Sequence, residues 1–342
     1  MKYLTIFILQ LVLIHTLSAQ KNETFFRTLI YSETLKESRE LLIHLPQNYH
    51  SEISKKDNYP VVYLLDAENN YQYFTSITDY MSKQPYADIP ELIIVGIKNT
   101  ERTRDFTPTK SFMEDPYQKG NKLFTNSGGS ENFFTFLQKE LKPYIKKNYR
   151  TLDYQILIGH SFSGLATISC LLKHPDYFNA YIANDPSIWW DNAITNQILA
   201  NTDLSTEAYK NKILYLAQAN NTDYNKTWNN DHIEAIKKLD TLFKKNTNTI
   251  DYLYKFYPYE QHSSIVIPAN HEAIKYIFRG FQTDIRRSAD NPEEFIITPY
   301  KNISQRLGVT FQPSKHYLQQ LKEFAERRKQ IQARNLFESF IK

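Results

Sequence analysis

One cysteine in 342 residues leaves Cys170 without an intramolecular partner, which excludes a disulfide framework and any zinc site built from several thiolates. Only 8 glycines occur, against a usual share of about 7%. No glycine-rich phosphate loop can be assembled from them; Gly128-Gly129 is too sparse for one and reads as a turn before a helix. Charge of one sign is also scarce: 41 Lys+Arg face 37 Asp+Glu, a formal net charge of +4. No basic face strong enough to call for nucleic acid follows from that balance. With 41% hydrophobic and 14% aromatic residues the chain can bury a sizeable core, so it is neither disordered nor fibrous. The histidines show no paired spacing with a glutamate on one helix face, so neither a metal nor a cofactor is expected.

The single long apolar run stands at the start. Lys2 gives a short positive region, Tyr3 to Leu17 is almost wholly apolar, and Ser18-Ala19-Gln20 offers a small residue before a cut. The run falls short of the roughly 20 residues that span a bilayer, so residues 1–19 are expected to be a signal peptide and the mature chain to begin near Gln20. No cysteine follows the run, and no later segment is apolar enough to cross a membrane. The expectation is an exported protein, periplasmic or secreted, with no integral membrane segment after cleavage.

Beyond this leader, short apolar runs alternate with amphipathic ones. Strands are predicted over Phe25–Tyr31, Glu40–Leu45, Val61–Leu65, Leu92–Ile97, Tyr154–Ile158, Ala180–Ala183, Ile213–Ala217 and Tyr252–Tyr257. Helices are predicted over Glu131–Lys147, Phe162–Lys173, Asp231–Phe243 and Pro268–Phe281. Buried strands separated by helices describe an α/β fold, a mostly parallel sheet with helices on both faces. The first two strands have no helix between them and predict an antiparallel start. Residues 20–281 form this domain on the present reading, and 282–342, with helical pattern around Tyr300–Arg306 and Ser314–Phe340, a small C-terminal helical extension.

Two of the scarce glycines, Gly159 and Gly164, flank one serine. Ile156-Leu157-Ile158-Gly159-His160-Ser161-Phe162-Ser163-Gly164-Leu165 reads as an apolar strand, a sharp turn and the start of a helix, the context of a nucleophile elbow. Ser161 would stand exposed above the sheet, with the backbone N–H groups of a helix N-terminus close to a developing oxyanion. Ser163 occupies the place of the second motif glycine, where a small side chain predicts tighter packing. A serine needs a base, and in the order serine, acid, histidine that base follows later in the chain. His262 lies in a loop between a strand and a helix, where such a base belongs, whereas His271 falls inside the helix and His316 in the extension. His160, next to the serine, is expected to shape the elbow. For the acid, Asp223 is the nearest carboxylate after the Ile213–Ala217 strand, with Asp231 and Glu234 in reserve.

These blocks resemble the esterase branch of the α/β hydrolases, the esterase D-like group with its ferric-siderophore, feruloyl and carbohydrate esterases. The resemblance covers residues 24 to 281. It rests on Tyr59–Asp66, on Glu91–Ile97 leading into Asn99-Thr100-Glu101-Arg102-Thr103-Arg104-Asp105-Phe106-Thr107-Pro108, on Gly128-Gly129, on Asp185-Pro186-Ser187-Ile188-Trp189-Trp190-Asp191, and on the Ser161 and His262 motifs. It implies the α/β-hydrolase fold and an oxyanion hole formed by the N–H groups of Phe162 and Ala67, the latter standing where the family usually has glycine. Trp189 and Trp190, in a loop near the elbow, are expected to meet substrate.

The function expected is an exported serine esterase that cleaves carboxylic esters through an acyl-enzyme, with a small-molecule ester as its partner and no cofactor. A siderophore trilactone esterase is the alternative; Arg102 and Arg104 would then face an anionic ferric complex, unless they are held in ion pairs by Asp105 or Glu101. A catalytically silent binding or scaffold protein on the same fold is the other, against which the intact Ser161 and His262 speak.

Overall fold

The structure is a computed structural model that describes residues 24–114, 118–221, 226–246 and 249–342. The expected signal peptide and the start near Gln20 lie outside the described residues. Eight strands form one sheet: β1 (Phe25–Ser32), β2 (Glu37–His44), β3 (Tyr59–Leu64), β4 (Ile93–Ile97), β7 (Thr151–His160), β8 (Ala180–Asn184), β9 (Ile213–Ala219) and β10 (Asp251–Tyr257). A two-stranded ribbon, β5 (Met113–Glu114) and β6 (Lys122–Leu123), stands apart. The order across the sheet is β1-β2-β4-β3-β7-β8-β9-β10. β2 runs antiparallel to both its neighbours, and every pairing from β4 to β10 is parallel. This is the α/β-hydrolase arrangement, with the antiparallel start that the first two strands predict.

Period-two burial explains why the sheet is covered on both faces. Val61, Tyr63, Ile93, Val95, Leu157, Tyr181, Leu214 and Leu216 point into one core layer, and Val62, Leu64, Ile94, Ile156, Ile158, Ile182 and Tyr215 into the other. The first layer is closed by α3 (Ser130–Phe136), α4 (Lys142–Asn148), α5 (Phe162–Lys173), α6 (Trp190–Ala200) and α7 (Lys226–Asn246). The second is closed by α1 (Ala67–Met81) and α8 (Val266–Ile277). The short helix α2 (Arg102–Phe106) lies in the Asn99–Pro108 run.

The helix expected over Glu131–Lys147 exists as α3 and α4 joined by a π-turn at Leu137–Leu141. Pro143 stands in the first turn of α4, and its missing N–H removes one i→i−4 bond there, a change that the wider turn accommodates. The sequence pattern does not announce α1, because Asn69, Asn70, Thr75 and Thr78 are poor helix formers; the burial of Tyr71, Phe74 and Met81 overrides that preference.

The extension forms α9 (Ile285–Asp290), α10 (Thr298–Leu307), α11 (Lys315–Arg327) and α12 (Ile331–Ile341). Tyr300, Tyr317, Leu321 and Phe337 join the second core layer, so these helices add to the core of the sheet. The N-terminus of α11 is tied to the main domain by the Asp57 carboxylate, which accepts the Lys315 N–H at 3.1 Å. No helix among the described residues is long and apolar enough to cross a membrane.

Candidate active site

Ser161 occupies the turn between β7 and α5 at φ 61° and ψ −119°, a backbone conformation that non-glycine residues rarely hold. The turn is held at several points. The Ser161 N–H donates to Asn184 O at 3.1 Å, and the Ser161 carbonyl accepts from Ser187 N at 3.0 Å and Leu165 N at 2.9 Å. Gly159 is required because a Cβ there would lie 2.1 Å from the carbonyl oxygen of Ser163. The Ser161 hydroxyl lies 3.2 Å from Ser187 Oγ.

Ser163 does more than pack. Its hydroxyl accepts the His160 N–H at 2.7 Å and reaches Asp66 Oδ2 at 2.6 Å. Asp66 precedes α1 in the left-handed conformation, φ 53°. It also receives Arg102 Nε at 2.7 Å, Arg102 Nη2 at 2.9 Å and Asn99 Nδ2 at 2.7 Å. Burial works against its ionisation, yet the Arg102 hydrogen bonds and charge hold its carboxyl below the ordinary range. Ala67 and Phe162 open α1 and α5, where the first N–H groups of a helix have no intrahelical acceptor. One carboxylate therefore fastens together the two turns that carry these two N–H groups.

His262 enters from the loop between β10 and α8. Its Nδ1 lies 2.6 Å from Asp185 Oδ2. Asp185 follows β8 at φ 41° and is fully buried. Burial opposes its charge, but hydrogen bonds from His232 and His262 hold its carboxyl far below the ordinary value. An ionised carboxylate has no proton to give, so His262 Nδ1 must carry the hydrogen and a neutral ring presents its lone pair at Nε2. His160 packs its ring 4.5 Å from that of His262 and donates from Nε2 to the His262 carbonyl oxygen at 2.6 Å. Burial first, then the neighbouring His262, pushes the His160 imidazole down to about 4, so it stays neutral. It shapes the elbow, as expected, and also anchors the backbone of His262.

Asp185, His232 and His262 offer ligand-type atoms within 4.8 Å of one another, a set that a cation can use. Here they are spent on each other, since both imidazoles hydrogen-bond to the same carboxylate oxygen. The site thus brings a hydroxyl at a strained turn to the same end of the sheet as an imidazole hydrogen-bonded to a buried carboxylate.

Residues 32–265 match the family described as "Putative esterase". The chain belongs to the esterase family. Among solved structures, this esterase is similar to an IroE-like serine hydrolase from Shewanella oneidensis, at 31% identity and a TM-score of 0.79, covering 93% of this chain and 98% of that one. Among curated proteins it is 34% identical over 172 residues to the ferri-bacillibactin esterase BesA of Bacillus subtilis, covering 46% of this chain and 58% of that one. It is 35% identical over 101 residues to a siderophore enterobactin esterase of Emericella nidulans, covering 28% of this chain and 33% of that one. The chain thus matches a little over half the length of the first curated relative and a third of the second.

The remaining expected site residues fall as follows. Asp223 lies outside the described residues, and the carboxylate bonded to His262 is Asp185, just after β8 rather than β9. Asp231 is exposed, and Glu234 pairs with Lys237 at 2.9 Å on the surface of α7. Trp190, expected to meet substrate, is instead in the core at 2% exposure, packed on Phe124 and Phe162 with its indole N–H on Thr109 Oγ1. Trp189 is half-buried 5.9 Å from the Phe162 ring, on the rim of the same cluster. Both arginines are paired with carboxylates. Arg102 forks onto Asp66, and Arg104 onto Glu37 and Asp105, where the ion pair with Asp105 is the one that the sequence offered as the structural role.

Proposed function

We propose that this esterase is an exported serine hydrolase acting through an acyl-enzyme, with Ser161 as nucleophile, His262 as general base and then acid, and Asp185 in place of Asp223 as the orienting carboxylate. The observation that carries the reading is the 2.6 Å hydrogen bond from His262 Nδ1 to buried Asp185, beside a serine in an elbow turn. The Ser161 hydroxyl turns from Ser187 toward His262 Nε2, gives up its proton there and attacks the ester carbonyl carbon. The negative oxygen that forms is held by the N–H groups of Phe162 and Ala67. The imidazolium, stabilised by Asp185, passes its proton to the departing alcohol. Water then repeats the sequence against the acyl group and releases Ser161.

A siderophore ester is the favoured substrate, supported by the names that two curated relatives carry. Since Arg102 and Arg104 are committed to carboxylates, recognition of such an anion falls to other groups. Export is supported by the apolar leader at residues 3–17. The test is fluorophosphonate labelling and hydrolysis of a ferric trilactone siderophore and of p-nitrophenyl acetate by the intact chain and by Ser161→Ala. Label on Ser161 and loss of both activities in the variant are expected. Turnover of p-nitrophenyl acetate but not of the trilactone would leave a serine esterase of another substrate class, and undiminished turnover by Ser161→Ala would refute the nucleophile.

A further inference from the structure

Asp185 is shared by two imidazoles. Its Oδ2 accepts from His262 Nδ1 at 2.6 Å, from His232 Nε2 at 2.9 Å and from Asn221 Nδ2 at 2.8 Å, while Oδ1 accepts the Ala219 N–H at 2.9 Å. His232 comes from α7, and its side chain is 1% exposed. Its ring stands edge-on to His262, with centroids 5.4 Å apart and planes at 85°. The ionised carboxylate forces the hydrogen of His232 onto Nε2, as it forces that of His262 onto Nδ1. A carboxylate torsion is broad, and His262 sits on a loop with 29% of its side chain exposed. Neither partner of that pair fixes the other's orientation unaided.

We infer that His232 is a positioning residue for the esterase reaction: its buried N–H pins Asp185 Oδ2 at the Nδ1 of His262 and thereby keeps the lone pair of His262 Nε2 aimed at Ser161. The inference rests on the reading of Ser161, His262 and Asp185 given above. His232 also draws part of the carboxylate's charge away from His262. Removing that donor changes the charge the carboxylate turns on His262, so the acid limb of the rate profile is a readout that a purely structural role would not move. The groups facing this pair are the His160 ring, the Asn221 amide and the Ala219 N–H, with Asp66 and Arg102 behind His160 and the Tyr254 phenol of β10, pushed up to about 12 first by burial, on the Gln218 side. His160, neutral above about 4, is silent over the working range.

The full chain carrying His232→Phe, which keeps a flat ring but no donor, is compared with His232→Gln, whose amide N–H reaches a similar point. Asp185→Asn and Ser161→Ala are run beside them. The phenylalanine variant should lose about tenfold or more in kcat at near-constant KM, with the acid limb of kcat/KM displaced. The glutamine variant should recover most of both. If His232→Phe has no cooperative thermal transition, His232→Asn, too short to reach Oδ2, takes its place. Wild-type kcat with an unmoved limb overturns the inference, as does equal impairment of both variants with an unmoved limb, which marks a purely structural role. Full activity in Asp185→Asn would instead overturn the underlying triad, whereas an inactive Asp185→Asn beside a normal His232→Phe removes the positioning role alone.

Discussion

Replacing Asp185 by asparagine keeps the shape of the site and removes its charge. Oδ1 meets the single N–H of Ala219, and Oδ2 meets three N–H donors. The amide will therefore turn its oxygen to the three donors and its NH2 toward Ala219, giving up one hydrogen bond and keeping an acceptor for His262. What disappears is the attraction between a carboxylate and the imidazolium formed during attack. At the 2.6 Å separation and an effective dielectric near 20, that attraction is about 6 kcal/mol. The hydrogen bond from an imidazolium to a neutral amide gives back roughly 1.5–3 kcal/mol. The net loss of about 3–5 kcal/mol corresponds to roughly two to four powers of ten in kcat. Steady-state hydrolysis of p-nitrophenyl acetate at pH 8 measures it. Asp185→Asn within about tenfold of wild type would refute the reasoning. Asp223→Ala, tested beside it, should stay close to wild type, and a large loss there with a mild Asp185→Asn would return the role to Asp223.

Gly159→Ala should lower thermal stability by about 1–3 kcal/mol or more and depress fluorophosphonate labelling, because its Cβ would overlap backbone rather than a movable side chain; normal labelling with an unchanged Tm would argue against the clash. Arg102→Met leaves Asp66 buried without its bidentate partner, and should reduce kcat more than it raises KM if Asp66 positions the α1 and α5 N-termini; an effect on KM alone would point to substrate contact. Glu91, beside Asp57 where the extension meets the main domain, has its carboxyl pushed up to about 7, first by burial and then by Asp57. A raised acid stabilises the fold below the unfolded carboxyl value of about 4.3 and withdraws that support as pH rises through 7. Wild type should thus lose roughly 1–3 kcal/mol between pH 5 and pH 8 that Glu91→Gln retains, read as the difference in urea midpoints; parallel pH curves for the two proteins would exclude it.

Alternating burial and short apolar runs made the strands legible, because sheet register is written locally at every second residue. The elbow was legible for the same reason: strand, turn and helix are contiguous from Ile156 to Leu165. The place of His262 in the loop between β10 and α8 follows from the order of elements. The carboxylate bonded to it does not, since proximity between the ends of β8 and β9 is a relation across the sheet and leaves no periodic trace. Asp185 stands in Asp185-Pro186-Ser187, next to the tryptophans expected to meet substrate, and His232 lies in the Asp231–Phe243 helical pattern, where nothing local marks a partner across the sheet. Trp190 was misplaced because a loop near a site is expected to be open, whereas this one folds inward onto Phe124 and Phe162. For Arg102 and Arg104 the sequence offers only the nearby Asp105 or Glu101 as ion-pair partners, because Asp66 and Glu37, which also hold them, are 36 and 67 positions away.

Although Asp185 follows β8, its two oxygens are gripped by Ala219 and Asn221, at the end of β9 and just beyond it. Adjacent strands lie only about 4.8 Å apart, so a carboxylate reaching across from one and a carboxylate rising from the other arrive at nearly the same point. The seat is made by the donors around it: the end of one strand supplies the charge, and the neighbouring strand supplies the N–H groups that keep it in place. A change at Ala219 or Asn221 that shifts the backbone would therefore disturb His262 without touching it.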